Sequence, residues 1–410
     1  MRSGWRRTTL GEIAEIIGGG TPKTSIDEYW GGPIPWITPT EVTASEGSVI
    51  STTARTLTRD GLANSGARLL PVGSVLLTSR ATIGAVALAG VEMATNQGFA
   101  SLVAGPAVLP AYLMYWCQAH RADFVGRAGG NTFLEVSKTN VKTVPIDVPP
   151  LAEQGRIVDL VNGLDGVGHT IDGLSLASAR AADALIENLI FVASAEEGWP
   201  NRTLRELGRD RSLIGGPFGS SLVRADYLDD GVPVIRGTNL STGTRWVGGD
   251  FVFVSPGKAD ALARNLALPG DVIFTQRGTL GQVAIVPPTY ERFVVSQSQM
   301  RMRVAPDKAL AEYIYFAFRS PRLISAIEDR KIATANPHIN LGILAELTVP
   351  VPDMERQRAI VGCLVAMEEQ GEMVAANASA LDRARSAILA DLLSGEHEIP
   401  ESYDRLLAPA

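Results

Sequence analysis

The sequence is poor in the residues that build metal centres and disulfide frameworks: it holds two cysteines and four histidines in 410 residues. Cys117 and Cys363 each sit in an apolar, helix-like segment, which reads as two reduced core thiols rather than a cross-link. His120, His169, His338 and His397 are scattered, none with a partner at metal-ligand spacing, so a zinc or iron site finds no support and none is expected. No run of about 20 apolar residues occurs, so no membrane-spanning helix is expected. The opening MRSGWRRTTLGEIAEII has basic residues but no apolar h-region, so a secretory signal is not expected and a cytoplasmic location is. Aromatics are only 6% of the chain. They gather near residues 110–124 and 309–327, where their helical spacing marks core helices. Positive charge is not in excess either: the net charge of -7 excludes a uniformly basic nucleic-acid binder. It leaves room for one whose charges are segregated by face.

Catalytic signatures are also missing. Gly18-Gly19-Gly20 is not followed by the lysine and hydroxyl of a phosphate-binding loop, and no glycine-rich methyl-donor loop occurs with an Asn-Pro-Pro-aromatic tetrapeptide. No nucleophile is ordered with a histidine and an acid, and Asp229-Asp230 reads as a turn. The chain reads as a binder, not a catalyst.

What is present is a duplication. LLTSRATIGAVA, from Leu76 to Ala87, returns as IFTQRGTLGQVA, from Ile273 to Ala284. Trp5, Thr9, Leu10 and Glu12 return as Trp199, Thr203, Leu204 and Glu206, and Ile34-Pro35-Trp36-Ile37 as Val232-Pro233-Val234-Ile235. The offset grows from 194 residues at Trp5/Trp199 to 203 at Pro149/Pro352, as loop insertions around a common scaffold would make it. A period this long means two domains rather than a solenoid. Short apolar runs bounded by turns, at 69–77, 268–274, 285–288 and 293–295, predict strands in each copy.

Each copy ends in a helix with a heptad frame. The first carries Ile157, Leu160, Leu164, Val167, Ile171, Leu174, Ala181 and Leu185, and the second Ile360, Cys363, Met367, Val374, Leu381, Ala384 and Ile388. Ile157, Leu160, Leu164, Ile171, Leu185, Ile360, Met367, Val374, Leu381 and Ile388 are the expected packing positions. A helix over residues 152–192 would be roughly 60 Å long at about 1.5 Å per residue, although Gly163, Gly166 and Gly168 weaken it. Related halves packed about a pseudo-two-fold axis would set the two helices antiparallel, with one globular part at each end.

Two similar heads on a rigid spacer suit a target with two separated sites, and duplex DNA offers half-sites about 34 Å apart on one face. The polar residues around the repeated motif suit that target. They are Thr21, Lys23, Thr38, Thr40, Arg80, Thr82, Asn96 and Gln97 in the first copy, and Arg236, Thr238, Asn239, Arg245, Arg277, Thr279, Gln297 and Gln299 in the second. Arginine can bind guanine with two hydrogen bonds, asparagine and glutamine can bind adenine likewise, and hydroxyls reach base edges or phosphates. A plainer reading stands beside this one: Arg80 and Arg277 brace a strand turn, the threonines bond backbone, and Gly84 and Gly281 supply the turn geometry.

In the order of its motifs the chain resembles the specificity subunits of type I restriction-modification systems. The resemblance rests on Trp5 and Thr9-Leu10-Gly11-Glu12-Ile13, on Gly19-Gly20-Thr21-Pro22, on Ile34-Pro35-Trp36-Ile37, on Gly73-Ser74-Val75-Leu76 with Arg80 and Gly84, and on Pro149-Pro150-Leu151-Ala152-Glu153-Gln154 with Ile157. It implies a mixed α/β (α+β) chain with two target recognition domains, at 1–150 and 198–352. Spacer helices at 151–197 and 353–397 would form an antiparallel coiled coil, followed by a tail at 398–410. It further implies that each domain reads half of a bipartite sequence in double-stranded DNA. The chain itself would be non-catalytic, assembling with two methyltransferase subunits that use S-adenosylmethionine and with restriction subunits that use ATP and magnesium. The competing reading is a two-headed protein-interaction adaptor with no sequence-specific DNA binding.

Overall fold

In the computed structural model, residues 4–129, 134–240, 243–334, 336–397 and 399–403 are described. Part of the expected tail, 398 and 404–410, lies outside them. The chain divides into two compact units, Met1–Thr170 with Ser379–Ala410, and Ile171–Ala378. Each has a mixed α+β core.

The first unit has a five-stranded sheet in the order Ala14–Gly18, Ala100–Ala104, Val75–Leu77, Val86–Ala89, Val49–Ile50. A three-stranded sheet runs Arg55–Leu57, Trp30–Ile37, Ala94–Thr95, and Arg6–Thr9 pairs with Pro145–Val148. The second unit repeats this order with Ile214–Gly215, Gln299–Met302, Val272–Thr275, Val283–Ile285. Its other sheet runs Val252–Val254, Val232–Ile235, Phe293–Val295, Leu266–Ala267, and Asn201–Thr203 pairs with Thr348–Pro350. The repeated stretches 76–87 and 273–284 are therefore equivalent hairpins, with Leu77 opposite Val86 and Phe274 opposite Val283. Their turns need left-handed backbone at Gly84 (φ 85°) and Gly281 (φ 84°), where a Cβ would be strained.

Both expected aromatic helices are present but interrupted. The first breaks at His120 into Pro110–Ala119 and Arg121–Gly126, and the second at Ser320 into Ala311–Arg319 and Pro321–Asp329. Ser320 bonds back to the Ala317 carbonyl and caps the next helix at the Leu323 amide, so the break is a stop and a restart in one residue.

Gln154 and Gln357 explain why the proline-rich entry to each long helix is duplicated. Each is fully buried. The Gln154 amide donates to the carbonyls of Ala107 and Pro149 and accepts from the Leu109 amide. Gln357 makes the same three bonds with Lys308, Pro352 and Leu310. One side chain thus satisfies three backbone groups where the helix leaves the sheet, groups that would be costly to bury unpaired.

The first long helix, Leu151–Ile186, runs through its glycines, passes into a π-helical stretch, Glu187–Val192, then Ala193–Glu197, and stops at Gly198 in left-handed backbone. The second is Met354–Ser394. Within each unit the two run antiparallel. In the first, Asp165 pairs with Arg385 and Gly168 faces Leu381, and in the second Ser178 faces Gly371.

The inward positions correct the heptad reading. Ile157 and Ile360 are buried, and Leu160, Leu164, Ile171, Leu185, Met367, Val374 and Leu381 are half-buried. The second seam, however, lies one residue later than expected, at Val161, Gly168, Ser175 and Ala182 and at Leu364, Gly371, Ala378 and Arg385. Cys363 is therefore exposed, not a core thiol, and Ile388 is exposed while Leu389 and Leu392 are buried. Small residues fill this seam because they let two helix backbones approach closely, and a search for large apolar side chains passes over them.

A candidate nucleic-acid interface on four converging loops

In the first unit four loops meet at one edge of the sheets and are knitted by main-chain bonds. The Gly20 amide donates to Thr95, Asn96 to Ile37, Ser79 to Gly98 and Val136 to Ser79, at 2.7–3.2 Å. The second unit repeats three of these bonds, Ser296 to Ile235, Gln276 to Ser298 and Ile339 to Gln276, at 2.8–3.1 Å, while its first loop is tied by the Gly216 amide to Gln299 because Pro217 stands at the place of Gly20. Glycine is required in it, since a Cβ on Gly19 would lie 2.1 Å from Thr95 Oγ1 and one on Gly216 1.9 Å from the Ser296 carbonyl oxygen. Each edge is thus a rigid backbone platform from which side chains project.

Most of the expected DNA-binding residues stand on these edges. In the first unit Thr21, Lys23, Thr40, Arg80 and Gln97 are exposed, with the Thr21 hydroxyl bonded to the Gln97 side chain. Arg80 is held 2.9 Å from Glu135. In the second unit Thr238, Arg277, Thr279 and Gln297 are exposed, and Gln297 donates to the Leu222 carbonyl. Arg236 is half-buried, reaching the Asp250 carbonyl, with a buried Nε that has no partner.

Other candidates serve the fold instead. Thr38 closes a capping box with Glu41, and Asn96 bonds the Gly98 amide. Asn239 is fully buried, donating to Gly248 and Asp250 and accepting from Arg236, so its amide is used up by its own loop. Gln299 is fully buried and accepts from Ser296. Arg245 points to the long helix, 2.8 Å from the buried carboxylate of Glu368 and 3.6 Å from Glu369. Burial alone would lower its pKa, but the bonds and charges of the two glutamates raise it. Thr82 uses its carbonyl, not its hydroxyl, for the turn: the brace is the hydroxyl of Thr78, which donates to it. Residue type alone does not distinguish an amide that caps a loop from one that faces out.

Sequence reasoning missed three features. Arg55 places its guanidinium carbon over the Trp30 ring, 3.4 Å from the centroid, and Trp30 packs edge-on to Trp36. Asp271, at the base of the second hairpin, is buried with Arg301 and is also bonded by the half-buried Arg303. Phe218 is 80% exposed at the tip of the Gly215–Gly219 loop. The last could have been noticed, as a phenylalanine set between glycines.

Among the described residues no group of three or more His, Cys, Asp or Glu side chains could hold a metal ion. No described helix is long and apolar enough to cross a membrane.

A duplicated α+β frame, two loop edges differing in side chains and two antiparallel helices define the class: a tandem two-domain protein with one such edge on each domain. The chain belongs to the type I restriction modification DNA specificity domain family, whose family model matches residues 2–171 and 227–375. It is 37% identical over 163 residues to the type I restriction enzyme MjaIX specificity subunit of Methanocaldococcus jannaschii, covering 39% of this chain and 38% of that one. It is 26% identical over 170 residues to the EcoR124I/EcoR124II specificity subunit of Escherichia coli, covering 40% and 41%. The chain thus spans about two fifths of the length of these curated relatives. Among solved structures, a chain from a study of the assembly and conformational transition of the type I R-M system superposes with TM-score 0.61 at 18% identity, covering 96% of this chain and 98% of that one. The type I restriction-modification S subunit from M. genitalium superposes with TM-score 0.52 at 13% identity, covering 95% and 96%. These two likenesses establish the fold.

Proposed function

We propose that this chain is the non-catalytic DNA-specificity subunit of a type I restriction-modification complex, acting in the cytoplasm. The observation that carries the reading is the pair of loop edges: one backbone weave, built twice, displaying different polar side chains. Two such edges read two different half-sites in double-stranded DNA, with Arg80, Gln97 and Thr21 on one and Arg277, Gln297 and Thr279 on the other reaching base edges or phosphates. The spacer helices fix the gap between half-sites and dock two methyltransferase subunits, which restriction subunits join. S-adenosylmethionine, ATP and magnesium are used by those partners and none by this chain.

The test is methylation mapping of the native host with and without this chain. Loss of one bipartite adenine-methylated motif is the expected result, and an unchanged methylome would overturn the proposal. Arg277→Ala should then weaken binding to the mapped site by about 1–3 kcal/mol if it reads a base, whereas an equal loss on random duplex would make it a phosphate contact.

A further inference from the structure

Phe218 has no structural task that its surroundings reveal. It is the most exposed large hydrophobic side chain among the described residues. Its loop, however, is not loose. Gly215, Gly216 and Pro217 beneath it are buried, Gly216 is pressed against the Ser296 carbonyl, and Ser221 bonds back to the Phe218 carbonyl at 3.3 Å. Gln297, one of the exposed polar residues of the edge, donates to the Leu222 carbonyl just beyond the loop. An aromatic ring is therefore held out on a rigid stem, beside polar side chains suited to base edges. The equivalent tip in the first unit is Thr21, a short polar side chain bonded to Gln97 and with no ring to offer.

A ring left in water on a stiff stem is costly to keep unless a partner takes it up. Proteins that deform DNA insert apolar wedges between base steps, trading unstacking for contact, and an aromatic stacked on a base gains from either face. We propose that Phe218 is a wedge that enters the base stack of the half-site read by the second unit, and that the first unit, with Thr21 at that place, leaves its half-site stacked. The inference rests on the DNA reading proposed above.

The experiment uses the full chain assembled with its methyltransferase subunit and short duplexes bearing the mapped bipartite site. Phe218→Ala should weaken binding to the intact site by about ten- to a hundredfold, the range for one lost stacking contact, while Phe218→Trp retains it. Duplexes with one abasic position, scanned through both half-sites, prepay the unstacking. The wild type should bind tighter at a step in the second unit's half-site only, and Phe218→Ala should lose that gain. Binding by Phe218→Ala equal to wild type would overturn the wedge, as would an abasic gain shared by both proteins. So would loss of methyltransferase assembly in Phe218→Ala, which would make the ring a protein contact. A wild type that fails to distinguish the mapped site from a scrambled one would instead overturn the DNA reading itself.

Discussion

The two units share a frame and differ in what they bury beneath it. At the base of the repeated hairpin the first unit has Ser74, with Ser101 and Val103 on the neighbouring strand. The second has Asp271 there, with Arg301 and Arg303. Asp271 takes two 2.8 Å bonds from Arg303, a 3.7 Å contact from Arg301, and the Leu268 amide. Burial lowers the pKa of Arg301, against the pull of Asp271, while the bond to Asp271 raises that of Arg303. The edges differ too: Arg80 is paired with Glu135 at the surface, whereas at the equivalent place Arg277 faces His338 across a backbone bridge. One frame thus tolerates a neutral or an ionic interior while presenting different side chains outward.

The largest test of that contrast is to break the ionic interior. Asp271→Ala strands the buried guanidinium of Arg301, and unfolding of the second unit in urea should show a loss of about 3–5 kcal/mol. Replacing the whole trio by neutral residues of the kind the first unit uses, Asp271→Ser with Arg301→Leu and Arg303→Val, should recover most of it, to within about 2 kcal/mol of wild type. A triple variant as unstable as the single one would mean that the second unit packs around the charges themselves.

A smaller effect separates the helical portions. The first unit's share of its opening long helix carries Gly163 and Gly166, where the second unit's equivalent positions are Ala366 and Glu369. A Cβ at Gly163 or Gly166 meets nothing within 4 Å. Alanine at either should stabilise by about 0.5–1 kcal/mol through helix propensity alone. Gly371 sits in the seam, where a Cβ would be 3.9 Å from Ser178 Oγ, so Gly371→Leu should destabilise by about 1–3 kcal/mol through overpacking. Thermal unfolding of the three variants checks the sign of each, and a stabilising Gly371→Leu would contradict the small-residue seam.

Much of this was legible in the sequence because duplication leaves an internal reference: the paired hairpins, and Gln154 with Gln357, can each be read against a second copy, whereas the strand order depends on pairings that no local pattern carries. The seam was not, because five of its eight positions are the small residues Gly168, Ser175, Ala182, Gly371 and Ala378, and apolar periodicity looks for bulk. The edge was legible only in part. Arg80, Gln97, Arg277 and Gln297 project from it, while Asn239 and Gln299 carry the same chemistry inward. Which way an amide points depends on the burial of its loop, a tertiary fact.

The smallest expected effect concerns the first helical turn of each unit. Thr203 caps Leu204–Leu207 in a full capping box with Glu206, whereas Thr9, at the equivalent place, makes no side-chain cap bond and Thr8 bonds Glu12 instead. The Thr203 backbone amide, then its hydroxyl and the Arg202 charge, hold the Glu206 carboxyl below its usual pKa. A depressed folded-state value means that the stabilisation is fully present above the unfolded value, about 4.3, and is lost as pH falls through the folded one. Glu206→Gln should therefore differ from wild type near neutral pH by a small amount, because the group is open to solvent and screened. The difference should shrink toward zero as urea titrations move below about pH 4. A difference that persists unchanged in acid would place the role of Glu206 in packing rather than in its charge, and the contrast between the two caps would then be one of shape alone.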